Sequence, residues 1–167
     1  VVFLGLSVAL VSGGNIATTP VEWFWIPGCK GPTYYYLYSH GLGAWMVFLS
    51  CGLSLVALIS ARGLFGNNYR NFAIGIFALM GAMNGTFLAA DAVLFFFFFE
   101  AMVIPAAVLI AGFGGEKRKE AAMTFAIYTL VGSAPMMVAL WYLLTIADNS
   151  LLLSVALAVQ SLPENTQ

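Results

Sequence analysis

Apolar residues gather along the chain into five long runs separated by short polar segments. The runs cover residues 1–17, 36–60, 71–90, 92–113 and 121–147. A helix needs about 20 mostly apolar residues to cross a bilayer, so the pattern predicts five membrane-spanning helices. Gly13, Gly14 and Asn15 interrupt the first run. A last apolar piece, Leu151 to Leu162, is too short to cross, and residues 151–167 read as the start of a further helix or a tail. The third and fourth runs are separated only by Asp91 and together exceed one span, so a tight hairpin is required near Ala89, Ala90 and Asp91. Asp91 then suits the N-cap of the following helix, where its carboxylate accepts orphan N–H groups at the positive end of the dipole.

Composition sharpens this picture into one class. Hydrophobic residues make up 62% of 167 and charged residues 8%, against roughly 45–50% and about 25% in soluble domains. Mean hydropathy is +0.95. The prediction is an all-α integral membrane protein with a single transmembrane region of about five spans. The net charge of −1 says nothing about a nucleic-acid partner, but the basic residues form no stripe with aromatics between them, and no nucleic-acid partner is expected. The chain opens on Val1 with no basic stretch before its first apolar run, so the expectation is a start within a longer polypeptide or a split gene rather than a signal peptide.

Charge also orients the spans. Arg62, Arg70, Lys117, Arg118 and Lys119, five of the six basic residues, fall in the loops after the second and fourth runs, and only Lys30 lies on the other side. By the positive-inside rule the five mark the cytoplasm or mitochondrial matrix. Trp23, Trp25, Tyr34 and Tyr35 crowd beside Pro20, Pro27 and Pro32, which reads as an interfacial aromatic belt.

Glu100 is the candidate for chemistry. It stands nine residues past Asp91, about 13 Å deep at 1.5 Å per residue, among Phe95 to Phe99 and Ala101 to Ile110. A carboxylate near the bilayer centre costs roughly 2.5–3.5 kcal/mol on insertion scales, so such residues mark proton or ion paths. The plainer alternative is a protonated acid that hydrogen-bonds two helices together. All six Lys and Arg are assigned to loops, so a basic partner has to come from another chain or a continuation of this one. Pro105 withholds the N–H that would bond Ala101, and Pro135 does the same in the fifth span, loosening backbone near the acid.

Other features carry plainer readings. Gly81 and Gly85 form a GxxxG suited to close helix packing. Asn84-Gly85-Thr86 matches a glycosylation sequon but lies in or at the membrane. Gly112 to Lys117 lacks the spacing of a phosphate loop and reads as a helix end and turn. His40 is the only histidine, so a bis-histidine haem within the chain is excluded and a metal site is not expected. An interfacial hydrogen bond is its default role, with a second proton-handling site as the alternative. Cys29 and Cys51 read as small apolar fillers.

The segment Gly85-Thr86-Phe87-Leu88-Ala89-Ala90-Asp91, followed by Phe99-Glu100-Ala101-Met102-Val103-Ile104-Pro105, resembles a known family. It is similar to the antiporter-like subunit M of respiratory complex I, NADH dehydrogenase subunit 4 (chain 4) in mitochondria. Gly114-Gly115, a basic loop, Ala121-Ala122, Phe125, Tyr128-Thr129 and Gly132-Ser133 continue the match, and Trp25-Ile26-Pro27 and Ser39-His40-Gly41-Leu42 precede it. The likeness runs from about Trp23 to Leu140 and covers the early third of a family member. It implies a fragment of a larger antiporter-like bundle within NADH:quinone oxidoreductase, a translocase, with Glu100 as the proton-transferring glutamate paired to a lysine on a later helix. It further implies no cofactor in this chain, the NADH, FMN, Fe–S and quinone sites lying in other subunits. The partners implied are neighbouring antiporter-like subunits and the bilayer of a mitochondrial inner or bacterial cytoplasmic membrane. The chain departs from the family pattern at His40, where Asp is usual, in lacking an aromatic after Pro105, and in ending at Gln167 before the broken helices and central lysines. A sodium/proton antiporter subunit and a shortened structural subunit that no longer pumps are the alternative readings.

Overall fold

The computed structural model describes residues 21–23, 33–38, 41–147 and 149–160. An antiparallel ribbon comes first, β1 (Val21–Trp23) paired with β2 (Thr33–Tyr35) in the register Val21 to Tyr35. Helices follow: α1 (Leu42–Ala61), α2 (Tyr69–Leu88), α3 (Ala92–Phe113), α4 (Arg118–Ile146) and the short α5 (Leu152–Gln160). The first four, of 20, 20, 22 and 29 residues, are long and apolar enough to cross a membrane. Successive helices pack against one another, so the chain runs up and down as an integral membrane bundle. The run at 1–17 lies outside the described residues, as do Cys29, Lys30, His40 and residues 161–167.

The packing is that of a protein whose solvent is lipid. Buried positions go largely to small residues, among them Ala44, Ala61, Ala92, Ala122 and Ala147, while Ile104 and Val131 are 69% and 66% exposed. With no hydrophobic force to press helices together in lipid, close approach of backbones through small side chains supplies the contact. Two glycines of α2 show this. A Cβ at Gly75 would lie 2.6 Å from Leu109 Cδ2, and one at Gly85 would lie 2.6 Å from Phe98 Cγ. The expected Gly81–Gly85 pair is corrected here: Gly81 is exposed and meets nothing within 4 Å. At about 100° per residue Gly81 sits some 120° around the helix from Gly75, outside the seam that Gly75 and Gly85 share.

The hairpin end of the bundle is held by extended backbone rather than by helix. Between α2 and α3 the chain straightens, and it is paired with two other segments in succession. With the first, Tyr38 N–H donates to Leu88 O (2.8 Å) and Ala90 N–H to Tyr36 O (3.0 Å). With the second, Ala92 N–H donates to Ser150 O (2.8 Å) and Leu152 N–H to Ala90 O (2.9 Å). Single antiparallel bridges join Leu37 to Ala89 and Asp91 to Leu151. This clasp explains a second correction: the run expected to be helical from Tyr36 becomes helix only at Leu42. Residues 36–38 are apolar enough for either state, and their backbone groups are consumed by the clasp. Gly41, at φ 48°, then turns the chain into α1, a conformation open to glycine.

The opposite end carries the basic residues among those described and is closed by aromatics. Phe65 lies 4.8 Å from Phe72 and 4.9 Å from Phe113 between ring centroids, and Phe72 lies 5.1 Å from Phe113. The Arg118 guanidinium donates to Gly112 O at 2.9 Å, satisfying a carbonyl at the C-terminal end of α3. Arg70, Arg118 and Lys119 sit in the first turns of α2 and α4 rather than in loops, because a charged first turn continues a helix readily where an apolar-run reading stops.

Candidate functional site around Glu100

Glu100 lies on α3, which begins at Ala92 because Asp91 caps it. One carboxylate oxygen of Asp91, Oδ1, accepts from Val93 N–H at 2.8 Å and Leu94 N–H at 3.1 Å. No residue from there to Glu100 disturbs the helix. The 22-residue helix is about 33 Å long, matching a hydrocarbon core of about 30 Å, and Glu100 falls about 13 Å from the clasped end. Both of its carboxyl oxygens are buried, and neither has a hydrogen-bond partner among the described residues. A buried ionisable group without a partner is costly, and where it persists it points to function.

Its direction follows from its neighbours on the helix. Phe98 and Leu109, which pack on α2, lie about 160–180° around α3 from Glu100. Val103 and Ala92, buried on the other flank, lie about 60–80° to one side of it. Ala92 belongs to the apolar cluster formed with Leu144, Ala147 and Val155. Exposed Phe97, Ile104 and Val108 lie about 40–80° to the other side. Glu100 therefore turns away from α2, at the margin between the α4 seam and an open apolar stripe. Pro105 lies inside the same uninterrupted helix and leaves Ala101 O without its usual donor; Pro135 stands in α4.

Polar groups that the sequence did not single out as a unit meet between α1 and α2. The Ser50 hydroxyl lies against Val47 O (3.0 Å) and Asn84 Oδ1, while Asn84 Nδ2 donates to Cys51 Sγ at 3.7 Å. Asn84, noticed only as part of a discarded sequon, thus spends its amide on the neighbouring helix. Inter-helical hydrogen bonds of this kind contribute about 0.6–2 kcal/mol in membranes. Cys51 is buried beside Ala44, Val47 and Met80, a filler that also accepts a weak hydrogen bond. An apolar cavity of about 220 Å³ lies near Asp91 beneath Tyr34 and Tyr35, lined also by Phe97 and Phe98 and apart from the carboxyl of Glu100. Among the described residues no three His, Cys, Asp or Glu side chains come together as a metal site.

Comparison with known proteins converges on one group. Residues 89–166 match the family described as NADH:quinone oxidoreductase/Mrp antiporter, transmembrane, a segment that includes Asp91, Glu100 and Ser150. NADH-quinone oxidoreductase subunit 13 of Thermus thermophilus is 35% identical over 143 residues, 81% of this chain and 27% of that protein. NADH-ubiquinone oxidoreductase chain 4 of the sea urchin Strongylocentrotus purpuratus is 35% identical over 109 residues, 62% of this chain and 24% of that one. NADH-quinone oxidoreductase subunit M of Rhodobacter capsulatus is 31% identical over 139 residues. In structure, the chain superposes on a chain of respiratory complex I from Thermus thermophilus with bound NADH, with a TM-score of 0.69 and 30% identity. That match covers 93% of this chain and 32% of the other. The chain spans about a quarter of the length of the curated relatives it matches. On its sequence and on its fold alike, the chain is a relative of the antiporter-like membrane subunits of NADH:quinone oxidoreductase, corresponding to a part of them.

Proposed function

We propose that the chain forms part of a proton-translocating membrane subunit of NADH:quinone oxidoreductase, with Glu100 as the group that takes up and releases the proton. The observation that carries this reading is the buried, unpartnered carboxyl of Glu100 inside a membrane-spanning helix. A cation approaching from a later helix or a neighbouring subunit stabilises the carboxylate and drives its proton off; as the cation withdraws, the acid is reprotonated. The open stripe beside Glu100 leaves room for that approach. NADH, FMN, Fe–S and quinone chemistry belongs to other subunits in this reading, and the partners are neighbouring antiporter-like subunits.

The assignment is tested by purifying the tagged chain from its native membrane. Co-purification of NADH:quinone reductase activity is the expected result. A complex that exchanges cations for protons and lacks that activity overturns it in favour of the antiporter named beside the reductase in the family description.

The positive-inside rule supports placing Arg62, Arg70, Lys117, Arg118 and Lys119 on the matrix or bacterial cytoplasmic side of a mitochondrial inner or bacterial cytoplasmic membrane. A cysteine at Lys117 is expected to resist an impermeant maleimide in intact cells or mitoplasts and to react once the membrane is opened. Reaction before opening reverses the orientation.

A further inference from the structure

We propose that Asp91 is a positioning residue for Glu100, fixing the rotation and depth of α3 by tying the helix start to β2 and to the segment before α5. The functional meaning of this role rests on the proton-transfer reading of Glu100; its geometry does not.

An N-cap needs one acceptor oxygen, and an exposed Ser or Asn serves as well as Asp. Asp91 is instead 1% exposed, and burial on that scale strips its oxygens of water, so each calls for hydrogen bonds from the protein. Oδ1 supplies the cap. Oδ2 does something a cap does not require: it accepts from Tyr34 N–H at 2.9 Å and from the Ser150 hydroxyl. These donors lie 57 residues before and 59 residues after Asp91 in sequence, in two separate segments of the chain. The backbone pairs from residues 88–92 to 36–38 and 150–152 run through the same point.

Turning α3 about its axis at this end therefore strains bonds to both segments at once. The helix is continuous from Ala92 through Glu100, and its first proline, Pro105, comes later. A turn of about 20° would swing a carboxyl about 6 Å from the axis through about 2 Å, enough to make or lose a hydrogen bond. Glu100 thus moves with the clasped end of the helix, and its aim is set where Asp91 is held.

The test uses the assembled complex in native membrane vesicles and the rate at which N,N′-dicyclohexylcarbodiimide labels Glu100, read by mass spectrometry. Asp91→Asn keeps an oxygen for Val93 and Leu94 but turns an N–H₂ toward Tyr34 N–H; Ser150→Ala removes the other contact. Both are expected to alter the Glu100 labelling rate by at least about threefold at normal assembly levels. Ser50→Ala, which loosens α1 from α2 and leaves the clasp, is expected to label at the parent rate. Parent-rate labelling in Ser150→Ala, or an equal change in Ser50→Ala, overturns the proposal; the Ser150 and Ser50 variants decide it even if Asp91→Asn fails to assemble. Labelling is read whether or not Glu100 carries the pumped proton. Unimpaired pumping by Glu100→Gln would remove the proton-transfer reading and leave the clasp standing, whereas unchanged labelling removes the clasp alone.

Discussion

A complex carrying Glu100→Gln is expected to assemble at parent levels while its proton pumping falls by about a hundredfold or more, the range that removal of a positioned proton-transfer group produces. The substitution keeps the size and shape of the side chain. It breaks no hydrogen bond among the described residues, since both Glu100 oxygens lack partners there. A neutral amide is also easier to hold in hydrocarbon than a carboxylate, so folding has no reason to suffer. What disappears is the acidic proton that the side chain can give up and take back. Dye-quench measurements of the proton gradient in vesicles, normalised to the amount of assembled complex, read the effect directly. Parent-level pumping would return Glu100 to the plainer role of an acid that packs between helices.

The second large effect concerns assembly. Gly85→Ala is expected to destabilise the bundle by about 1–3 kcal/mol, the usual cost of forcing extra volume into a packed seam. The new methyl would lie 2.6 Å from Phe98 Cγ. That atom is next to the Phe98 Cβ, so turning the ring does not clear it, and α3 itself has to shift away from α2. Gly81→Ala is the internal control: it adds the same methyl four residues earlier, where nothing lies within 4 Å. Thermal aggregation of the detergent-solubilised complex should fall to lower temperature for the first variant and stay put for the second. Equal behaviour of the two would mean that the α2–α3 seam does not depend on Gly85.

The contrast between those glycines shows where sequence reasoning stopped. A GxxxG spacing places two small residues on one helix face, but which face meets a neighbour is decided by tertiary packing, and here Gly75 rather than Gly81 shares the seam. Asp91 was legible as a cap because the cap is local: an acid between two apolar runs has one sensible position. Its bonds to Tyr34 and Ser150 cross nearly sixty residues and leave no local mark. The limits of α3 coincide with the apolar run because Asp91 and Gly114 punctuate both ends. The start of α1 does not, because Tyr36 to Tyr38 suit a strand as well as a helix, and pairing with residues 88–90 decides between them. Glu100 could be picked out by depth alone. The burial of its oxygens, and the side of α3 from which a partner can come, required the fold.

With the clasp at one tip of α3 and the Phe65–Phe72–Phe113 stack at the other, the helix is tethered like a string at both ends. Any response to the gain or loss of a proton is then confined to its middle, where Pro105 has already forgone one backbone bond. A tethered span can flex by small amounts many times without parting from its neighbours, which suits the repeated proton uptake and release proposed for Glu100.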